Sequence, residues 1–577
     1  MNTQEEKNLI VANHVKQKRA AEDFKQRRFS QWNENYSMIR DKIETNVLTQ
    51  RNASNIPVMR ETIKSWIGNV DEPPEIDFKN RDRGAENRDK EIVVSSLYDK
   101  FYKDNKLEVL DQLDKQNVAI QGRSFKHVGW DSKKKFVFCD LVDAYDILLP
   151  RDTDPLDLNK SEFLIHINIK KDLNEILANP DFDKEELKMM NLYFGEKAGY
   201  IKATSEDESY ERSRDRLRGL GDTTEDDVYN FIGTKVEINN SYDLVWNKTL
   251  KKRIRHLRIY AADRFLLYDK PLKEAIGMEV LPIVSWASNP DMIDVWSDSM
   301  ADNIRNINKV INIYFSQDIE NRGYRNFGMF FFNNMKGQFT PKGFQPRPFG
   351  FYGLPGNPRE MVQQVEIQPL SDTTNQIDYL KQLVQGSVAQ TATERGQDSG
   401  ADTLGEIQIN LQQSTQMNNV DMKHYRKAWE EVAELFLMVL EANQTDVVML
   451  EKEGGDGEYR EKKVGREDWI SPNGYQCIPK FKKEQEEEDN FEIQKTQYVL
   501  NGFQNNPVAL KIAKTKQLEA LGWTSEEIEQ VMQAEDSMSG MNTAEPLQDE
   551  GVDQQAIRSE QDAGSEGLQN QAGNQQY

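Results

Sequence analysis

Residues 281–321 read LPIVSWASNPDMIDVWSDSMADNIRNINKVINIYFSQDIEN, and residues 323–360 read GYRNFGMFFFNNMKGQFTPKGFQPRPFGFYGLPGNPRE. The change of character between the two decides the fold. In the first, Ser299 followed by Asp302 is a helix-start signal, because side chain and backbone cap each other across three residues. Behind it Met300, Ile304, Ile307, Ile311, Tyr314 and Phe315 recur at helical spacing, on a helix reaching about Arg322. In the second, Gly, Pro and aromatic residues erase that period. Helix returns over 373–392, with Ile377, Leu380, Val384 and Val388 on one face, and stops in the polar loop 393–400. A second long helix starts near Thr403 and runs to about Asn443, roughly 60 Å at about 1.5 Å per residue. Its first half is rich in Gln and Asn, while Trp429, Val432, Leu435, Phe436 and Val439 predict burial of its second half.

Before this core, residues 1–50 read as charged helix with an apolar stripe of Phe24, Trp32, Tyr36, Ile39 and Ile43. A second helical run carries Ile56, Met59, Ile63, Trp66 and Ile67 up to the stop at Asp71-Glu72-Pro73-Pro74. Residues 88–121 predict one more helix, which passes through Gly122 into the short strands FKHVGWD and KKFVFCDLV. The segment 140–170 reads as strand and loop, 170–230 as charged helix, and 231–285 as short strands. Beyond Asn443, strand-like pieces fill 446–482, with turns at Gly454–Gly457 and Asn473-Gly474. Glu484–Asn490 reads as a solvated helix face, and Thr524 with Glu527 as a capping box. From Glu535 on, the chain holds nine acids, one base (Arg558) and many Gln, the composition of a flexible tail. The fold class expected is therefore α+β, mainly helical, with long central helices and small β elements.

The bulk numbers narrow the function. At 577 residues the chain exceeds one compact core, so several domains or one elongated subunit are expected. Lys and Arg number 74 against 97 Asp and Glu, a net charge of −23. Binding duplex DNA draws on counterion release by basic residues, so this chain should repel DNA over most of its surface. That disfavours a repressor or nuclease and suits a conduit along which DNA slides. Cys139 and Cys477, the two cysteines, lie far apart and outside metal spacing, so neither a disulfide framework nor a zinc site is expected. The N-terminal residues lack the apolar core of a signal peptide, and no run of about 18 apolar residues predicts a membrane span.

Chemical motifs are missing where an enzyme would carry them. There is no G-x-x-x-x-G-K-[ST] loop, no H-E-x-x-H, no G-x-S-x-G and no kinase signature set. The five histidines, at 14, 127, 166, 256 and 424, are scattered. Asp152, Asp154 and Asp157 form the best acidic cluster. It reads either as a hard-cation site or as a turn in which Asp side chains bond their own backbone ahead of Pro155, and the turn is favoured. No cofactor or metal is expected, and the protein is expected not to be an enzyme. The most informative patch is 322–359, where Arg322, Arg325, Lys336, Lys342, Arg347 and Arg359 stand with ten aromatics and no acid. Three readings stay open for it: an assembly interface, favoured because aromatics and Arg are enriched there, a stacking platform for nucleic acid, or a small aromatic core with solvated basic edges.

The order of segments resembles the portal family of tailed bacteriophages, the head-to-tail connectors, in a podovirus-like form. Local text agrees. FSQWNENYSMIRDKI (29–43) with NIPVMRETIKSWIGNVDEPPEIDF (55–78) is similar to the family's opening. QGRSFKHVGWD (121–131) is similar to the strand after its wing helix, and DAYDILLPRDTDPLDLNKSEFL (143–164) to the acidic loop before the next wing strand. LPIVSWASNPDMIDVWSDSMADNIRNINKVIN resembles the approach to the first stem helix. The resemblance implies a portal fold of wing, stem, clip and crown: wing 1–290, first stem helix 291–323, clip 324–370 and second stem helix 371–392. It further implies a tunnel loop at 393–403, a long wing or crown helix at 404–443, wing strands at 444–483, crown helices at 484–534 and a tail at 535–577. It departs from some members in predicting no helical barrel at the C-terminus.

By that resemblance, copies of the chain form a ring of about twelve at one capsid vertex, closed by a repeated heterologous interface. The ring is the channel for packaging and ejecting double-stranded DNA. Its partners would be the major capsid protein, the large terminase subunit (transiently) and tail adaptor or connector proteins, with no membrane. It would be assembled in the bacterial host cytoplasm and reside in the virion. Arg325, Lys336, Lys342 and Arg347 would serve the clip interface, and Arg395, Gln397 and Ser399 the tunnel loop. Two rivals stand beside this reading: an oligomeric virion or scaffold protein without a channel, and a metal-dependent nucleic-acid enzyme.

Overall fold

The computed structural model describes residues 4–40, 56–70, 73–82, 86–195, 235–327, 329–332, 357, 362–365, 368–370, 372–387, 404–443, 447–452, 459–481, 495–496 and 507–520. The chain divides into two units, 1–482 and 483–577. In the second, the described helix is Pro507–Ala520.

The first unit opens with helix α1 (Gln4–Ile39), 36 residues without Gly or Pro and with Glu5 and Glu6 favourably placed in its first turn. Helix α2 (Val58–Asn69) follows Pro57 and buries Met59, Ile63 and Trp66, as its periodicity predicts. After strand β1 (Glu75–Asn80) come α3 (Glu86–Asp104) and α4 (Leu107–Gln121). The single helix expected over 88–121 is thus two. The break lies at Asn105-Lys106, where Lys106 takes the left-handed conformation at φ 51°. Asn105 explains it. Its side-chain amide donates to Phe101 O at 2.8 Å and Val137 O at 3.2 Å, and its Oδ1 accepts from Cys139 N at 3.2 Å. One residue ends the helix and stitches it to the neighbouring strand, a competition that periodicity does not reveal.

Helix α4 ends at Gly122, with φ 85° and its N–H bonded to Val118 O at 2.9 Å. A Cβ there would meet Ser297 O at 2.3 Å, so both the left-handed cap and the close approach require glycine. Strands β2 (Arg123–Asp131) and β3 (Phe136–Val142) then form a hairpin, whose turn Asp131 closes by accepting from Lys133 N at 2.8 Å. Next come β4 (Ile147–Leu148), β5 (Phe163–Asp172), short α5 (Leu173–Leu177) and α6 (Lys184–Gly195). Strands β6 (Lys235–Asn247), β7 (Lys252–Ala261) and β8 (Phe265–Pro271), with α7 (Leu272–Ile276), lead to β9 (Ile283–Ala287). Within 170–230, read as charged helix, the described part is the end of β5, α5 and α6; residues 196–234 lie outside the described residues.

Two antiparallel sheets result. One is five-stranded in the order β4-β5-β6-β7-β8, and the other is three-stranded in the order β3-β2-β9. The 28-residue helix α8 (Met300–Phe327) starts against the smaller sheet's core. It is followed by β10 (Met329–Phe332), β11 (Val362–Val365), α9 (Thr373–Ser387) and the 40-residue α10 (Leu404–Asn443). Strands β12 (Val447–Lys452) and β13 (Tyr459–Val464) pair with each other. Strand β14 (Tyr475–Lys480) pairs antiparallel with β1, which joins the end of the unit to the segment between α2 and α3. The main core joins α2, α3, α4, β2, β9, α8 and the second half of α10, whose Trp429, Val432, Leu435, Phe436 and Val439 are buried as predicted. The molecule is mixed α+β with several sheets.

Candidate functional site: a helical pair and its insertion

The start of α8 is built as its sequence announces. Ser299 Oγ accepts from Asp302 N at 3.0 Å, while Asp302 Oδ2 accepts from Ser299 N at 3.0 Å. Around this box, Asn35 of α1 donates to Asp302 Oδ1 at 3.1 Å and to Ile120 O at 3.0 Å, and Arg305 bonds Asp302 at 2.8 Å. From that anchor Ala301, Ile304 and Ile311 are buried. Beyond Ser316 the helix is half-buried or exposed. At roughly 1.5 Å per residue, α8 is about 42 Å long.

The chain leaves α8 into β10 and comes back through β11, paired antiparallel from Met329↔Val365 to Phe332↔Val362. Asn321 near the end of α8 donates to Gln368 O at 3.0 Å, and α9 returns beside α8 with Ile377 and Val384 buried. Residues 333–361 are therefore an insertion closed at its root by a two-stranded ladder. Arg325 is exposed in the last turn of α8, where a cation favours the helix dipole, and Arg322 pairs with Asp318 at 2.8 Å. Lys336, Lys342 and Arg347, and in the expected tunnel loop Arg395, Gln397 and Ser399, lie outside the described residues. Of the segment 291–323, residues 291–299 are not helical, and α8 runs from Met300 to Phe327, past the expected end; α9, Thr373–Ser387, lies within 371–392. On α9, Tyr379 and Leu383 are exposed four residues apart, so one face of that helix offers apolar surface outward.

A buried ionic cluster fixes the second half of α10. Asp111 and Asp114 on α4 face Lys115 and Lys126 on α4 and β2, with nitrogen–oxygen distances of 2.5 Å in both the Lys115–Asp111 and Lys126–Asp114 pairs. The Lys126 ammonium lies off the hydrogen-bond direction, so its contact with Asp114 is ionic. Trp286 Nε1 donates to Asp114 at 2.6 Å, and Tyr425 of α10 donates to Asp111 at 2.8 Å. Lys126 also sits 4.8 Å from the Trp429 ring. Burial pushes the Asp111 carboxyl up against the pull of Lys115, and burial with the nearby Asp111 pushes the Tyr425 phenol far up. The cluster ties α4, β2, β9 and α10 into one joint.

Helix α1 keeps its expected apolar stripe, packed against the cores, and buries a second, polar face as well. Trp32 is buried and Phe24, Tyr36 and Ile39 are half-buried, while Ile43 lies outside the described residues. The face buried along its first half is polar: Lys7, His14, Lys18 and Lys25. Lys7 pairs with Asp183 at 2.8 Å, and Lys18 with Asp263 at 2.7 Å. His14 stacks on Tyr260 at 3.7 Å. Lys25 donates to Tyr145 O at 2.6 Å and Ile147 O at 2.7 Å, with its ammonium 5.1 Å from the Trp296 ring. Hydropathy scores lysine as exposed wherever it stands. Only the acids and carbonyls waiting on the five-stranded sheet and its adjoining turns make these positions interior. The periodic spacing of Lys18, Ala21, Lys25 and Trp32 is the sole hint.

The acidic cluster is a turn. Asp154 Oδ1 accepts from Leu156 N at 2.9 Å, and Asp157 Oδ1 from Asn159 N at 3.0 Å. Lys160 pairs with Asp154 at 2.9 Å. Among the described residues, no group of three His, Cys, Asp or Glu is placed to hold a metal ion. Both cysteines are buried free thiols, pushed up to about 12 by burial. A residue that sequence reasoning missed is Arg123. Its fully buried guanidinium donates to Val295 O at 2.7 Å, Ser285 Oγ at 2.8 Å and Pro155 O at 2.8 Å, holding two loops to the central sheet. Nothing in QGRSF marks it, because its acceptors are mostly backbone carbonyls. Compared with known proteins, the chain matches no family model and no curated protein.

Proposed function

We propose that this chain is the portal subunit of a tailed bacteriophage, about twelve copies closing into a ring at one capsid vertex. The observation that supports this reading most is the helical pair. A long helix rooted in an α+β body leads to an insertion closed by a ladder, returns as a shorter helix, and is followed by a 40-residue helix that packs back into the body. Exposed apolar residues on α9 suit lateral packing of copies. A net charge of −23 per subunit suits a channel through which DNA slides without sticking. No helix among the described residues is long and apolar enough to cross a membrane.

On this reading the protein is a conduit and docking platform. It carries no catalytic step, cofactor or metal of its own. The basic insertion, with Arg325 at its root and Lys336, Lys342 and Arg347 within it, would meet neighbouring insertions, the terminase large subunit during packaging and tail adaptors afterwards. The capsid protein would hold the body, and Arg395, Gln397 and Ser399 would face the DNA. The test is direct imaging of purified full-length protein by negative-stain electron microscopy. Rings with a central hole are expected. Solid particles or filaments would favour a virion or scaffold protein without a channel, and monomers at every concentration would end the proposal.

A further inference from the structure

Two exposed surfaces of the first unit oppose each other in charge and match in apolar character. The hairpin of β6 and β7 ends in Trp246–Arg253, WNKTLKKR. Its turn is held by Asn247, whose Oδ1 accepts from Thr249 N at 2.9 Å and Leu250 N at 3.0 Å. Trp246 is 59% and Leu250 58% exposed. Lys248, Lys251, Lys252 and Arg253 surround them, all exposed, and no acid occurs from Leu244 to Ala262 in this acidic chain.

The second surface is made of the two loops that Arg123 holds together through Pro155 O and Val295 O. Here Leu156 is 59%, Met292 79% and Ile293 88% exposed. The backbone beneath them is fixed, since Asp291 Oδ1 accepts from Ile293 N at 3.0 Å and Asp294 Oδ1 from Trp296 N at 2.9 Å. The same loops carry Asp152, Asp154, Asp157, Asp291, Asp294 and Asp298, offset in part by Arg28, Arg151 and Lys160. Large apolar side chains this exposed on rigid backbone mark contact surfaces.

We propose that the acidic double loop of one copy receives the lysine-rich hairpin of a second copy, with Trp246 and Leu250 covering Met292, Ile293 and Leu156. Within one chain both surfaces stay open, so the hairpin does not cover the loops of its own subunit. Opposite charge around an apolar centre selects the partner and its register, and Trp with Arg is the composition that dominates binding energy at such centres. Because the two surfaces differ, the contact is head-to-tail and repeats from copy to copy, as ring closure requires. The inference rests on the portal reading for the number of copies and adds to it which surfaces meet.

The experiment uses full-length protein and sedimentation velocity with negative-stain imaging. Lys248→Glu/Lys251→Glu/Lys252→Glu and, separately, Asp152→Lys/Asp291→Lys should each weaken association about tenfold or more. Mixing the two variants should restore rings of alternating copies, because one contact then joins two wild-type surfaces and the next joins the reversed hairpin to the reversed loop. All five positions are exposed, and Trp246→Ser gives a charge-neutral variant that should weaken association in the same way. Rings of wild-type stability in all three variants would overturn the inference while leaving the portal reading standing, and so would a mixture that fails to recover. Loss of binding to short duplex DNA in the lysine variant, with rings intact, would assign the hairpin to nucleic acid and also overturn it. A wild-type chain that never associates would remove both readings together.

Discussion

At the scale of single residues, Lys25 shows what burial does to a charge. Its ammonium has two backbone carbonyls and aromatic faces around it, and burial lowers its pKa to about 7 from 10.5, against the weaker pull of Asp146 and Asp143. The unfolded chain holds this proton up to its ordinary range, whereas the folded chain releases it near pH 7. Folding is then coupled to proton release between those values, and the cost of burying the cation is full below about pH 7 and relieved as pH rises toward 10.5. Wild-type protein should therefore gain stability relative to Lys25→Met between pH 7 and pH 10. Urea midpoints of the two proteins at both pH values measure it, and a constant gap would show that the ammonium has access to water. The sequence could not single out Lys25 from the other lysines of α1, because the carbonyls that receive its ammonium, Tyr145 O and Ile147 O, come from more than a hundred positions away.

At the scale of elements, the start of α8 was fully legible. Ser299 and Asp302 stand at capping-box spacing, and the structure has both reciprocal bonds. Ser299→Ala should cost about 1 kcal/mol, as loss of such caps typically does, read as a lower urea midpoint that Ser299→Thr largely restores. An unchanged midpoint would mean that Asn35 and Arg305 hold the helix start by themselves. The helices at 373–387 and 404–443 were likewise readable from apolar spacing. The break between α3 and α4 was not, because Asn105 stops the helix through bonds to Phe101 and to strand β3. A side chain that competes for backbone groups acts through its neighbours in space, and periodicity averages over it.

At the scale of the whole molecule, charge carries the functional argument. A chain with 97 acids against 74 bases places Arg322, Arg325, Lys336, Lys342, Arg347 and Arg359 in one acid-free stretch, 322–359, that runs from the end of α8 into the insertion. Reversing Arg325, Lys336 and Arg347 together to Glu should impair ring assembly or motor docking, measured as packaged DNA in a complementation assay; wild-type packaging would remove the insertion from the interface. The sequence by itself determined most of the helical spans, though not the break at Asn105-Lys106, and with them the capping box of α8, the basic aromatic stretch 322–359 and the net charge, because each of these is a property of neighbouring residues or of a sum. The local turn at Asp154 and Asp157 was likewise already the favoured reading of the sequence. Only the tertiary structure decided that Lys7, Lys18 and Lys25 are interior, that β14 pairs with β1 and that Arg123 joins two loops. Those outcomes depend on which partners arrive from distant parts of the chain, and the free energy of a buried charge is set almost wholly by that arrival.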